Sequence, residues 1–316
     1  MGISDSSMRY RVDVAGTGFT VLDRIYADGD LTEEALGGSC GNVLLSLAML
    51  HRNVAPVLAL GDDDEGGRLV DEFSRAGAVI EYISRRSDLR SPILAQELDT
   101  ISGQHDFTFV CPDTQVDLPR YQPIGRDELA LAMPVFAHCS VFYTDRLSDS
   151  IVEAMKTASL AGAIIFFEPS DIEESALFAT ALGLASVLKY SEDRLGESLA
   201  YLDTACIRIV THGAAGLEVR DDDDSVWCEA IDAPRVLDTC GSGDMVSVGV
   251  IDWLLTNRVG PTRLTSADLI GGIVAGQRLA AENCAYAGAR GLFRTRGADY
   301  VRAVLAGGRR YSAATR

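Results

Sequence analysis

Residues 238–244 read Asp-Thr-Cys-Gly-Ser-Gly-Asp, and they open a segment, 242–255, that is apolar on nearly every side of a helix. A helix that is hydrophobic all round is buried, so we predict a buried helix whose start lies deep in the protein. The first amides of a helix lack internal partners, and glycine has no Cβ, so a ligand can approach this backbone closely. Because the helix dipole also favours negative charge, the stretch predicts an anion-binding helix start.

Asp244 stands at the mouth of this predicted anion site. A carboxylate beside a hydroxyl-bearing substrate can accept its proton, which typically contributes about 10²–10⁴ to the rate. A transferring phosphoryl group is an anion whose charge such a helix start could stabilise. The alternative interpretation is structural, with Asp244 as a helix cap and the glycines as a tight turn.

The bulk composition excludes several classes of protein. The chain has 316 residues and a net charge of -18, which argues against nucleic acid or anionic membranes as partners. Only Lys156 and Lys189 are lysines, and Gly-x-x-x-x-Gly-Lys-Ser/Thr does not occur, which excludes a P-loop NTPase. If the protein binds ATP, groups other than a P-loop lysine must hold the phosphates.

The cysteines and the apolar runs indicate a cytoplasmic protein. The seven cysteines are scattered and form no Cys-x-x-Cys pair, which is typical of reduced thiols rather than disulfides or a zinc site. No run approaches the roughly 18 apolar residues of a membrane span, and residues 1–11 lack a signal-peptide core. We therefore expect no membrane partner.

Short apolar runs alternate with helical patterns along most of the chain, which predicts an α/β fold with a doubly wound, mostly parallel sheet flanked by helices. The predicted strands are 11–15, 54–60, 139–143, 163–167, 186–189 and 206–210. The predicted helices are 39–50, 65–76, 149–161, 173–182, 192–200, 242–255 and 266–286, the last two closing the chain. An acidic turn, 62–64, can cap the second helix. Hairpins are predicted over 93–110, turning at Ser102-Gly103, and over 219–229, with an acidic tip.

Five motifs resemble those of one family, the ribokinase-like (PfkB) carbohydrate kinases. Residues 238–251 match its C-terminal signature, with Ser242 in place of alanine. Residues 37–42, Gly-Gly-Ser-Cys-Gly-Asn, resemble its N-terminal signature, and residues 61–66 resemble the turn that follows. The turns 211–213 and 288–290 resemble those near the nucleotide. The motifs occur in family order between residues 11 and 293.

The resemblance implies an ATP-dependent kinase that phosphorylates a hydroxyl of a sugar or sugar-like molecule. It implies a single ribokinase-like domain over residues 1–316. A small β lid would form from about residues 24–36 and 91–110. In relatives this lid closes on the substrate and often mediates dimerisation, so a homodimer through the lid is an expected partner arrangement.

The same resemblance assigns the residues of the active site. Asp244 would be the catalytic base. The anion hole would be formed by the amides of Gly241, Ser242 and Gly243. The hydroxyls of the acceptor would be held by Asp23, Gly38 and Asn42. The nucleotide would be bound by Thr211, Gly213 and Gln277, with Lys189 at a strand end as a further phosphate contact.

The implied metal ions are Mg²⁺ with the ATP and K⁺ as a monovalent cation. Asp238 would lie near the monovalent-cation loop, as in potassium-activated relatives. The family usually has Asn-x-x-Glu, which organises Mg²⁺ through water, where this chain has Ser191 and Arg194, so Glu192 or Glu197 could substitute in that role.

Three alternatives remain open at the level of sequence. The acceptor is a neutral sugar first, a nucleoside second and a sugar phosphate third, the last because Arg90 or Arg146 could meet a phosphate. A non-catalytic sugar or nucleotide sensor on the same fold is an alternative to an enzyme. Residues 37–41 also fit the Gly-x-Ser-x-Gly pattern of hydrolases, but the last histidine, His212, comes too early for the catalytic histidine.

Overall fold

The alternating pattern of the sequence produces strands and helices along most of the described chain. The structure is a computed structural model, and it describes residues 10–98, 105–172, 175–200, 204–221, 224–262 and 264–307. The strands are β1 (Val12–Thr17), β2 (Val21–Ala27), β3 (Asp30–Gly37), β4 (Val54–Pro56), β5 (Leu58–Gly61), β6 (Ile83–Arg86), β7 (Ile93–Leu98), β8 (His105–Thr108), β9 (Cys139–Thr144), β10 (Ile164–Phe167), β11 (Val187–Ser191), β12 (Ile207–Thr211), β13 (Gly216–Asp221) and β14 (Asp224–Glu229).

The helices connect these strands and cover the sheets. They are α1 (Ser39–Met49), α2 (Asp64–Arg75), α3 (Arg126–Phe136), α4 (Asp149–Leu160), α5 (Ser175–Leu184), α6 (Glu192–Leu199), α7 (Ser242–Thr256), α8 (Ser266–Asn283) and α9 (Gly291–Leu305). The predicted acidic cap of α2 is confirmed, because the Asp63 side chain accepts a hydrogen bond from the Gly66 amide. Within the described residues, no helix is both long and apolar enough to cross a membrane.

The main sheet has eight strands in the order β14-β13-β12-β11-β10-β9-β1-β4. Six neighbouring strands of this sheet run parallel, namely β4, β1, β9, β10, β11 and β12. β13 and β14 add an antiparallel hairpin beside β12. This arrangement confirms the predicted mostly parallel sheet. The sheet is doubly wound, because one apolar core includes α1, α2, α7, α8 and α9 and the other includes α3 to α6.

The period of two in the central strands separates these two cores. Val14 of β1 and its partner Val141 of β9 point into one core, whereas Ala15 and its partner Phe142 point into the other. In the sheet, β4 lies on one side of β1 and β9 lies on the other side. The carboxyl ends of β1 and β9 therefore form the crevice at which α/β folds of this kind bind ligands.

Two smaller sheets stand apart from the main one. β3, β2, β7 and β8 form a four-stranded sheet, in which β7 and β8 are an antiparallel pair, as predicted for residues 93–110. The Ser102-Gly103 turn of that prediction lies outside the described residues, as do 222–223 at the tip of the second hairpin and 173–174 at the start of a predicted helix.

The prediction of one strand over residues 54–60 was wrong. β4 ends at Pro56 in the main sheet, and β5 pairs instead with β6 in a two-stranded sheet. Proline has no amide hydrogen and is confined to the ends and edges of sheets, so the continuous apolar run conceals a change of partner.

The prediction that two long helices close the chain was also wrong, because α9 follows α8. Gly297, with φ 76°, interrupts the helical backbone inside α9, and glycine weakens the helical pattern of the sequence there. The first residue before α9 is Arg290, whose side chain enters the candidate site described next.

Candidate active site

The start of α7 is built by a glycine in the left-handed backbone region. Gly241 has φ 71°, and a Cβ added there would lie 2.4 Å from the Cβ of Ala289. A side chain at this position would therefore meet both a strained backbone and the neighbouring 288–290 turn. Two loops that are far apart in sequence are held in close contact at this point.

The central part of the helix α7 is buried, but its start is open. Gly243 is exposed, whereas residues 244–251 are buried. The Ser242 amide donates to the Thr239 carbonyl oxygen at 3.2 Å, while the amides of Gly243 and Asp244 meet no acceptor among the described residues. The sequence predicted a helix start deep in the protein; the structure instead brings it to a surface, where its free amides can contact an anion.

Asp244 lies at this start with its carboxylate buried. Its Oδ2 accepts a hydrogen bond of 2.8 Å from Nδ2 of Asn42, so the two residues predicted from separate motifs meet directly. Burial, and next the negative charge of Glu168, raise the pKa of Asp244 to about 7, against the opposing effects of Asn42 and Lys189. A carboxyl group with such a pKa can take up a proton near neutral pH.

Lys189 borders the same helix start through an ion pair with Glu168. Its ammonium contacts Glu168 Oε1, and it lies 3.5 Å from the position a Cβ on Gly243 would occupy. The other carboxylate oxygen of Glu168 accepts from Ser247 Oγ at 2.5 Å and from the Tyr143 hydroxyl at 3.0 Å. A positive charge is therefore placed beside the free amides.

Asp23 lines a small open cleft that it shares with Arg290. Its Oδ1 is buried and has no hydrogen-bond partner among the described residues. Burial raises the pKa of Asp23 to about 8, although the charge of Arg290 opposes the rise. The cleft is lined by Asp23, Ile25, Ala35, Leu36, Gln96, Gly288, Ala289, Arg290 and Arg294. An unpaired buried oxygen in a cleft of this kind is a site for a hydroxyl donor.

Gly38 lies at the start of α1, next to these groups. Its φ is 79°, and an added Cβ would lie 2.3 Å from the Phe19 carbonyl oxygen. This close approach of two backbones places the first turn of α1, and with it Asn42, at the crevice between β1 and β9.

Three charged residues of the site were not assigned from sequence, and two of them, Arg290 and Asp145, are buried. Arg290 contacts Asn42, Glu168 holds Lys189, and Asp145 accepts hydrogen bonds from the amides of Phe19 (2.8 Å) and Cys40 (3.3 Å). Burial raises the pKa of Asp145 to about 6. Glu168 and Asp145 each directly follow a buried parallel strand, which is the position that could have signalled them.

The residues predicted to bind nucleotide lie around the ends of β11, β12 and β14. Lys189 belongs to β11, Thr211 ends β12 with its Oγ1 3.5 Å from the Tyr190 carbonyl oxygen, and Gly213 is exposed with φ 57°. The side-chain amide of Gln277 donates to the Glu229 carbonyl oxygen at 3.1 Å, so it holds the end of β14 in place.

Of the two predicted metal residues, Asp238 has hydrogen-bond partners within the protein, and Glu192 lies against its own helix. Asp238 is buried and accepts from the backbone amides of Cys240 (2.7 Å) and Gly288 (2.6 Å), which ties the α7 loop to the 288–290 turn. The Glu192 carboxylate folds back over Gly196 of its own helix, within 2.6 Å of where a Cβ would lie. The described residues contain no group of three or more His, Cys, Asp or Glu side chains suited to a metal ion.

A stability prediction follows from the two glycines of the helix start. Gly241→Ala is expected to lower the free energy of unfolding by about 1–3 kcal/mol, because its φ is positive and Ala289 fills the space. Gly243→Ala is the matched control, since its φ is not in the left-handed region and its nearest neighbour, Lys189 Nζ, is 3.5 Å away. Denaturant unfolding of both variants measures the difference; equal losses would contradict the geometry of this turn.

A family model identifies the group of proteins with this arrangement. The model described as "pfkB family carbohydrate kinase" matches residues 27–292. The chain belongs to the PfkB family of carbohydrate kinases, as its motifs predicted. A search of curated proteins found no match.

Solved structures with the same fold include several kinases of small molecules. A fructokinase with bound ATP from Xylella fastidiosa superimposes with a TM-score of 0.73 at 22% identity, covering 93% of this chain and 98% of that one. An aminoimidazole riboside kinase from Salmonella enterica, complexed with aminoimidazole riboside and an ATP analogue, gives 0.71 at 19% identity (92% and 99%). A ribokinase from Arabidopsis thaliana, complexed with ribose and ATP, gives 0.68 at 14% identity (93% and 99%). These likenesses establish the ribokinase-like fold.

Proposed function

We propose that this protein is an ATP-dependent kinase that transfers the γ-phosphoryl group of ATP to a hydroxyl of a sugar or sugar-like molecule. The observation that carries the proposal is the meeting of Asp244 and Asn42 beside the open start of α7, which joins a base to an anion site. Membership of the carbohydrate kinase family supports the reaction class, and ATP-bound relatives of the same fold support the phosphoryl donor.

In the proposed reaction, Asp244 removes the proton of the acceptor hydroxyl as its oxygen attacks the γ-phosphorus. The bond to the oxygen between the β- and γ-phosphorus breaks, ADP leaves, and the proton remains on Asp244 until solvent takes it. The amides of Gly241, Ser242 and Gly243 stabilise the charge on the transferred group, that of Ser242 after giving up its Thr239 contact. Lys189 adds a positive charge from the side of Glu168.

The acceptor end of the site favours an uncharged, hydroxyl-rich molecule. Asp23 offers an unpaired acceptor oxygen, while the positive charges of the cleft already have partners: Arg290 contacts Glu72, and Arg294 pairs with Glu33. Gly38 would contribute backbone contacts to the same molecule. A neutral sugar is therefore our first choice, and a nucleoside is second because one relative of the fold binds a riboside.

The nucleotide would extend from the start of α7 toward Thr211, Gly213 and Gln277. The described acidic side chains do not form a protein-held Mg²⁺ site, so Mg²⁺ would arrive on the ATP phosphates with water as its remaining ligand, and Glu192 would contact it only through water. The proposal also includes K⁺ near Asp238 and a single domain over residues 1–316. It further includes a cytoplasmic location and the four-stranded sheet as a lid and dimer interface.

An ADP-release assay with Mg²⁺ and ATP tests this function. We expect turnover with at least one member of a panel of neutral sugars, nucleosides and sugar phosphates, with the product confirmed by its mass. Turnover only with nucleosides would establish the second acceptor class. Binding of ATP or a sugar without turnover of any acceptor would instead establish a sensor on the kinase fold and contradict the proposal.

A further inference from the structure

We propose that Arg290 is a positioning residue for the base: it fixes the side-chain amide of Asn42 so that Asn42 donates to Asp244. This inference rests on the proposed function, because it gives a role to a residue behind the proposed base. The three side chains come from the start of α9, from α1 and from α7, and they form one hydrogen-bonded chain.

Arg290 is a buried cation held from several sides. Its side chain is 4% exposed, and its Nη1 donates to Asn42 Oδ1. Its Nη2 donates to the Leu36 carbonyl oxygen at 2.5 Å and lies 3.4 Å from Glu72 Oε2. An isolated buried charge is unfavourable, so the Arg290 side chain must keep these acceptors. They therefore hold it in a single rotamer.

The chemistry of the guanidinium decides which way the Asn42 amide faces. Arginine can only donate hydrogen bonds. Its neighbour must therefore be the acceptor Oδ1 of Asn42 and not the donor Nδ2. The Nδ2 group is then turned to Asp244 Oδ2, at 2.8 Å. In the flipped amide, two oxygens would face each other at Asp244, and the carboxylate would lose the hydrogen bond that favours its charged form.

The geometry also explains why the position requires arginine. One nitrogen contacts Asn42 while the other contacts Leu36 at the end of β3, and this needs two donors fixed in one plane. A lysine offers a single point of charge and cannot hold both. Arg290 thus joins the end of a strand of the four-stranded sheet to the proposed base.

A double-mutant cycle tests the role of Arg290 through Asn42. Arg290→Met is expected to lower kcat about tenfold or more, with the KM for ATP changed less than about threefold. In the Asn42→Ala background, the same substitution should lower kcat by less than about threefold, because the relay is already broken. An equal loss in both backgrounds would overturn the proposal. Arg302→Met, which lies in α9 and pairs at the surface with Asp299, is the control with unchanged kcat.

A second measurement does not depend on turnover. We expect Arg290→Met to raise the pKa of Asp244, followed by carbon NMR of its carboxyl group, and Arg290→Lys to raise it less. The other charged side chains that act on Asp244 are Glu168, Lys189, Asp145 and Asp23, and the substitution removes none of them. An unchanged Asp244 titration in a folded variant would overturn the proposal.

These measurements separate the two proposals. If the wild-type protein turns over no acceptor, the proposed kinase function fails, and the Asp244 titration alone decides the role of Arg290. If the wild-type protein is active and the cycle is additive, the positioning role fails and the function stands. If Arg290→Met does not fold, Arg290→Lys carries both measurements.

Discussion

Asp244→Asn is expected to lower kcat by about 10²–10⁴-fold while leaving the affinity for ATP nearly unchanged. The asparagine retains the shape of the side chain and can still accept from Asn42, but it cannot take the proton of the acceptor hydroxyl. Steady-state kinetics with the acceptor identified in the panel, together with ATP binding by calorimetry, measure both effects. Near-normal turnover in a folded variant would remove Asp244 from the role of base.

The pH dependence supplies a second signature of Asp244. Its raised pKa of about 7 predicts that kcat/KM of the wild-type protein increases as the pH rises through about 7, because the base must be ionised. The same raised pKa predicts that the folded state holds this proton more tightly than the unfolded state. The contribution of Asp244 to the free energy of unfolding therefore decreases as the pH rises from about 4 to about 7. At pH 8, Asp244→Asn should therefore have a Tm equal to or above that of the wild type.

A matched carboxylate on the same helix separates catalysis from stability. Asp252 lies eight residues further along α7, about 12 Å along the axis, and pairs with Arg52 at 2.7 Å. Asp252→Asn should retain kcat and the rise in kcat/KM near pH 7. If kcat fell by a similar factor in both variants, the cause would be damage to the helix rather than loss of a base.

Lys189→Met is expected to lower kcat/KM for ATP by about 10–100-fold, the second largest effect. The ammonium borders the open start of α7, and a charge-assisted contact to a phosphate is worth about 1.5–3 kcal/mol. The substitution also leaves Glu168 without its cation next to Asp244, so the rise in kcat/KM should shift to higher pH. Initial rates over a range of ATP concentrations and pH measure both changes.

The chain offers a matched control, because Lys156 is its only other lysine. Lys156 is exposed on α4 and pairs with Glu153, so Lys156→Met should leave kcat/KM for ATP unchanged. Breaking a buried ion pair also lowers stability, so Lys189→Arg, which keeps the charge, should retain the fold and recover part of the activity. A folded Lys189→Met variant with ATP kinetics within about threefold of the wild type would contradict a phosphate contact.

Much of the site could be predicted from sequence because it is built from local motifs. The segment 238–244 needs only its own glycines and the apolar helix behind it to define a helix start with free amides, although only the structure showed that this start opens to a surface. Asn42 follows from a second motif, and the structure places it 2.8 Å from Asp244 although 202 residues separate them. The roles of these residues in catalysis and binding remain proposals, as do those of Lys189 and Asp23.

Two features of the fold were hidden from local patterns. The run 54–60 contains no apolar-to-polar change at Pro56, yet the chain there moves from one sheet to another. α9 is interrupted by Gly297, so its helical period is broken in the sequence although packing retains both parts. In each case the neighbours, not the segment itself, select the structure.

The sequence by itself determined the α/β layering and the character of the α7 start, because hydrophobic period and glycine placement act over a few residues. The tertiary structure alone decided which charges meet there. Arg290 contacts Asn42 across 248 residues, and Glu168 pairs with Lys189 across two neighbouring parallel strands. Such contacts depend on strand order and on which carboxyl ends share an edge of the sheet, and no short stretch of sequence encodes that order.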